Sequence, residues 1–182
     1  MERYGKVVCI LLSVAVLLSF APSANAAQVG DSWIMAQGAF VMDFETGLEI
    51  YSHNGDEVRV PASMTKVMSL YIMFEALAND EIEYDTVVPI SERVYYLSRN
   101  TAYFNTVPLH YSETYMVEEL LDLIVVYSAS VVAVAELISG SEEAFLERMN
   151  AKASEMGADA YYVCCAGIGS NWVSPRAMAT IA

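Results

Sequence analysis

The sequence predicts an α+β fold, with an N-terminal β-hairpin packed on a mainly helical domain. Three observations carry this. Two short extended runs, Ala39-Phe40-Val41-Met42 and Leu48-Glu49-Ile50-Tyr51, flank a turn from Asp43 to Gly47, where a glycine supplies the positive φ that tight hairpins need. From Ser63 to Ala78, apolar residues such as Met64, Val67, Leu70, Ile72 and Phe74 wrap most of the way round a helix, the pattern of a helix buried in a core. Helical patterns then recur from Tyr115 to Met156, separated by short polar breaks.

The elements follow in order. Arg3 and Lys6 precede an apolar run from Val7 to Phe20, and small residues Ala24 and Ala26 follow. This is the layout of a secretory signal peptide over residues 1–26, with cleavage after Ala26 and a domain over 27–182. The run is short of the about 20 residues a spanning helix needs, so membrane contact is expected only if the segment stays uncleaved. After the hairpin and the first helix, Asn79-Asp80 stops the chain, and residues 81–113 read as short pieces and loops around Pro89 and Pro108. A helix is expected from Tyr115 to Tyr127. Ser128-Ala129-Ser130 breaks it, and a second runs from Val131 to Ile138. Ser141 is placed as an N-cap with Glu142 and Glu143 in the first turn, and Gly157 suits the C′ position. Phe145, Met149, Ala153 and Met156 share one face of that helix. A short helix is expected after Pro175.

The totals bound the function. The chain has 182 residues and formal net charge −14, with pI near 4.3. Length fits one domain or part of a larger one. Hydrophobic residues make up 55%, which excludes a disordered chain. The acidity and the lack of any Lys/Arg run exclude a nucleic-acid surface. Cys164 and Cys165 are adjacent, strained as a pair, and have no histidine nearby to make a metal site, so they read as small core residues.

The chemistry is concentrated in "VPASMTKVMS", residues 60 to 69. Ser63 and Lys66 stand three apart and share a helix face. A serine hydroxyl becomes a nucleophile when a neighbour removes its proton. A lysine can do that only as the neutral amine, which desolvation and a helix N-terminus both favour. The plain alternative is that Ser63 or Ala62 starts a helix and Lys66 reaches solvent along its stem. Ser128, in the break between two helices, can relay a proton, or it ends one helix while Ser130 caps the next.

The stretches "ETGLEIYSHNGDEVRVPASMTK" and "LLDLIVVYSASVVAVAELISGSEEAFLERMNAKASEMG" resemble the serine D-alanyl-D-alanine carboxypeptidases, the low-molecular-mass penicillin-binding proteins. Ser-x-x-Lys is a signature of penicillin-binding proteins and β-lactamases. The resemblance implies an incomplete form of the transpeptidase fold that those proteins and the β-lactamases share. It implies Ser63 as acylated nucleophile, Lys66 as base and Ser128 as the serine of a Ser-x-Asn motif. The reaction implied removes the terminal D-alanine of peptidoglycan stem peptides outside the cytoplasm. The ligands implied are a peptidoglycan pentapeptide or a β-lactam, with no metal or cofactor. Three features depart from the pattern, one of them the Gly-rich segment "YYVCCAGIGSNWVSPRAMATIA", which only loosely echoes the family's next region. Ser130 stands where the motif has Asn. The Lys-Thr-Gly motif has no counterpart, since beyond residue 26 only Lys66 and Lys152 are lysines. A C-terminally shortened member is therefore expected. The alternatives are a non-catalytic envelope protein of the same family and, third, a β-lactamase-like hydrolase.

Overall fold

The computed structural model describes residues 34–101, 106–127 and 129–182. The signal-peptide reading of 1–26 and the position of Ser128 lie outside the described residues. Among the described residues, no helix is long and apolar enough to cross a membrane.

The hairpin forms where expected. Strand β1 (Ala39–Met42) pairs antiparallel with β2 (Glu49–His53), with Ala39 opposite His53 and a register shift after Val41. Its turn is closed by Asp43, whose carboxylate accepts from the Thr46 N–H at 2.8 Å, while Gly47 takes φ +69.

The helix expected from Ser63 to Ala78 has two parts. A 3-10 turn over Ala62–Thr65 leads into α1, Lys66–Ala78. Met68, Ile72, Met73 and Ala76 are fully buried. Asn79 caps α1 and Asp80 turns the chain out at φ +56.

The segment read as loops contains more structure than its prolines suggested. Strand β3 (Val87–Val88) pairs with β4 (Tyr115–Met116). Helix α2 (Glu92–Leu97) is capped by Ser91, whose hydroxyl accepts from the Val94 N–H at 3.1 Å. The Ser-Glu start signal was present but the helix is too short to show a period.

Helix α3 spans Val117–Val126 and α4 spans Ala129–Ser139. The break between them is narrower than expected. Tyr127 is extended at φ −124, ψ 121, and the helix resumes at Ala129, so Ser130 lies inside the first turn of α4 rather than in the break. Helix α5 spans Glu142–Glu155. Its cap is as expected: Ser141 accepts from the Ala144 N–H at 3.2 Å, and Gly157 has φ +64. Phe145, Met149 and Ala153 are buried.

Strands β5 (Ala160–Tyr161) and β6 (Trp172–Val173) pair, and Arg59 exchanges two backbone bonds of 3.0 Å with Val173. The last helix, α6 (Pro175–Ile181), starts at Ser174, whose hydroxyl accepts from the Ala177 N–H at 3.1 Å. The described strands form three separate two-stranded ladders. The core lies between α1, α3, α4 and α5, built on Met68, Ile72, Leu120, Ile124, Val131, Val134, Phe145 and Met149.

Candidate active site

The chain enters the site through the Arg59 ladder, which fixes the backbone just before Val60 and Pro61. Ala62 then adopts φ +48, a left-handed conformation disfavoured for any residue with a Cβ. The 3-10 turn follows, and the Lys66 N–H donates to the Ser63 and Met64 carbonyls. In a 3-10 turn, side chains three apart eclipse one another. Ser63 and Lys66 are therefore on one side of the turn. Their environments differ. Ser63 is exposed, while Lys66 is 9% exposed.

That burial has a consequence. Desolvation lowers the Lys66 pKa below the ordinary lysine value, and the positive end of α1 acts in the same direction. The snorkelling alternative does not hold for this lysine. Among the described residues, no hydrogen bond joins the Ser63 hydroxyl to the Lys66 amine. Such bonds are often long without substrate and tighten on binding.

Ser130, the departed motif position, is 1% exposed and its hydroxyl has no partner among the described residues. It is part of the wall of α4.

The turn is braced from behind by residues 162–171, a stretch with no helical or strand period of its own in the sequence. Asn171 donates to the Thr65 hydroxyl at 2.9 Å and to the Cys164 carbonyl at 2.8 Å. Its carbonyl accepts from the Val163 N–H at 2.7 Å and the Cys164 N–H at 3.0 Å. Gly167, at φ +88, lies against the Ala62-Ser63 peptide, and a Cβ there would sit 2.1 Å from the Ala62 carbonyl oxygen. One helical turn further on, the Ser69 hydroxyl donates to the Cys165 carbonyl at 2.7 Å. The one legible signal is Ser69, the single serine or threonine of an otherwise greasy α1, whose hydroxyl must find a partner when buried.

Behind the brace sits a buried charge. Glu142 is 5% exposed. It accepts from the Cys165 N–H at 3.0 Å and pairs with Arg93. Burial pushes the Glu142 carboxyl up, but the hydrogen bonds from Arg93 and Cys165 outweigh it and hold the pKa below the usual value. The sequence showed Glu142 only as a favourable first-turn residue. Cys165 is buried and Cys164 half-buried, both free thiols, and burial raises both pKa values. They are core residues, as expected, and Cys165 also contributes both of its backbone polar groups to the brace.

Two apolar cavities lie beside the turn, and neither is lined by Ser63 or Lys66. A cavity of about 430 Å³ is lined by Phe40, Val60, Pro61, Met64, Val173 and Met178 among others. A second, of about 560 Å³, runs along Val67, Tyr71, Phe74 and Ile181.

With this geometry in hand, similarity to known proteins is specific. The family model described as D-alanyl-D-alanine carboxypeptidase matches residues 23–182. The D-alanyl-D-alanine carboxypeptidase DacF of Bacillus subtilis is 37% identical over 153 residues, 81% of this chain and 38% of that protein. The crystal structure of a peptidoglycan synthesis regulatory factor, PBP3, from Streptococcus pneumoniae superposes with TM-score 0.76 at 30% identity, over 81% of this chain and 46% of that one. Penicillin-Binding Protein D2 from Listeria monocytogenes in its ampicillin-bound form shares the fold at 20% identity, TM-score 0.65, over 80% and 59%. The chain thus spans about two fifths of the curated relative's length.

Proposed function

The chain belongs to the D-alanyl-D-alanine carboxypeptidase family, peptidase S11, and from that premise we propose that Ser63 is acylated by peptides ending in D-Ala-D-Ala, with Lys66 as its base. The carrying observation is the dry lysine: a 9% exposed amine one 3-10 turn after an exposed serine. In the acylation step, Lys66 Nζ takes the Ser63 Oγ proton as Oγ bonds to the penultimate carbonyl carbon. The C–N bond to the terminal D-alanine breaks, and the leaving amine receives a proton, relayed through the Ser128 hydroxyl. Water then cleaves the ester and regenerates Ser63. No cofactor enters this scheme. A β-lactam is attacked at the same carbon-type centre and leaves a stable ester. Substrate is peptidoglycan stem peptide, met outside the cytoplasm after residues 1–26 have directed export.

A non-catalytic binder of the same family is the second reading. It draws on the buried, unpartnered Ser130 at a motif position where an amide is expected. Incubation with a fluorescent penicillin separates the two. A covalent label lost in Ser63→Ala, together with D-alanine release from a pentapeptide, supports the enzyme. Folded chain that takes no label at millimolar drug supports the binder, and ring opening faster than D-alanine release supports a β-lactamase-like hydrolase.

A further inference from the structure

We propose that Asn171 is a positioning residue: through its bond to the Thr65 hydroxyl it locks the Ala62–Lys66 turn in the geometry that puts Ser63 and a desolvated Lys66 on one side. The inference rests on the acyl-transfer reading above and adds a residue to it.

Asn171 is 1% exposed and its side-chain amide is fully engaged. A carboxamide has two donor hydrogens and one carbonyl oxygen with two lone pairs. Here the oxygen takes the Val163 and Cys164 N–H groups, and the nitrogen gives to the Cys164 carbonyl and to Thr65. That pattern fixes which end is nitrogen. Three of the four bonds hold the loop to itself. The fourth crosses 106 residues of sequence to Thr65.

Thr65 is itself 0% exposed and lies between Ser63 and Lys66. The loop Asn171 organises touches the same segment at two other points. Gly167 abuts the Ala62-Ser63 peptide and the Cys165 carbonyl holds Ser69. Three anchors thus fall on eight residues of chain, and they begin at Ala62, the residue with the disfavoured φ of +48. A left-handed alanine persists only where its surroundings over-determine it. Asn171 and its loop are those surroundings. Releasing the Thr65 bond lets the turn relax, admits water to Lys66 and moves Ser63 off line. A displacement near 1 Å costs catalysis about a hundredfold.

The cleanest cut is Thr65→Val, which removes one hydroxyl and leaves the loop's internal bonds in place. Thr65→Ser keeps the hydroxyl and is the rescue. Asn171→Ala removes the whole brace. All are made in the full chain, with folded fraction measured by thermal unfolding. Two readouts are taken. The first is acylation by a fluorescent penicillin, with the rate at saturating drug separated from reversible affinity. The second is the titration midpoint of Lys66, followed by 13C at Cε. Burial is the largest cause that lowers Lys66, so its midpoint responds to access of water.

The expected result is a saturating acylation rate lowered about ten- to a hundredfold in Thr65→Val and Asn171→Ala, with reversible affinity unchanged. The Lys66 midpoint moves up toward its ordinary value in both, and Thr65→Ser restores rate and midpoint. Acylation at the unaltered rate, or a fall that only tracks lost folded fraction, overturns the proposal. A parent chain that takes no label overturns the catalytic reading alone. The brace is then judged by the titration, where an upward shift in Thr65→Val supports it and an unmoved midpoint overturns it.

Discussion

The two sides of the Ser63 turn are built from opposite materials. Behind it, residues 162–171 engage buried polar groups through directional bonds: Asn171 with Thr65, and the Cys165 backbone with Ser69 and Glu142. The other region, the front, is made of the hairpin, the 3-10 turn and α1, which present apolar side chains to solvent. Phe44 is 91% exposed, and Ile50, Met64 and Phe74 are all at least half exposed. Hydrogen bonds are directional and fix position, whereas apolar burial is roughly proportional to area and fixes little. The difference teaches that the geometry of the nucleophile is set from behind. The front is a surface where large side chains change solubility more than chemistry.

That contrast can be broken most severely at the chemical pair itself. Ser63→Ala is expected to abolish covalent labelling. Lys66→Met lowers the acylation rate about 10²- to 10⁴-fold, the usual contribution of a positioned base. It also has a telling side effect. Because the folded pKa of Lys66 lies below its ordinary value, the unfolded chain holds this proton more tightly than the folded chain does. Folding stability therefore rises with pH through the window between the lowered pKa and the ordinary one. Removing the amine removes that slope and raises Tm at neutral pH, which thermal melts at two pH values detect.

Next in size is Gly167→Ala. The added Cβ meets backbone 2.1 Å away at a position with φ +88, so both clash and strain apply. A loss of about 3 kcal/mol is expected, together with slowed labelling, read by urea unfolding and gel fluorescence.

Glu142→Gln tests the charge under the brace. Losing hydrogen bonds to a charged group costs about 1.5–3 kcal/mol. The depressed Glu142 pKa stabilises the fold above the unfolded carboxyl pKa, and that contribution is lost as pH falls through the folded value. Melts from neutral to acid pH should show a shallower decline in the variant.

The smallest effect belongs to the front. Phe44→Ser, at a 91% exposed turn position, changes stability by no more than about 0.5 kcal/mol and leaves labelling intact. Light scattering should show less self-association.

Much of the frame was legible in the residues. The hairpin turn, the apolar helix and the Ser141 and Gly157 caps each carry a local signal with a physical cause, and each is found in place. The Ser63/Lys66 spacing was legible too, because a lysine at the start of so greasy a helix has no structural excuse. What could not be read was long-range. Asn171 finds Thr65 across 106 residues, and no period or spacing announces such a bond. Glu142 looked like a first-turn acid, and only the fold brings Arg93 and the Cys165 N–H to it. Ladders of two residues, such as Ala160–Tyr161 with Trp172–Val173, are too short to leave an alternation. The break expected over Ser128-Ala129-Ser130 is shorter in the fold, because α4 already begins at Ala129 and takes Ser130 into its first turn.

The most direct measurement is peptide mapping by mass spectrometry after benzylpenicillin treatment across a pH series. The expected result is one adduct on the peptide bearing Ser63, forming faster as pH rises through the lowered Lys66 midpoint and lost in Ser63→Ala. An adduct on another residue, or one whose rate is indifferent to Lys66→Met, would contradict a serine activated by a dry lysine.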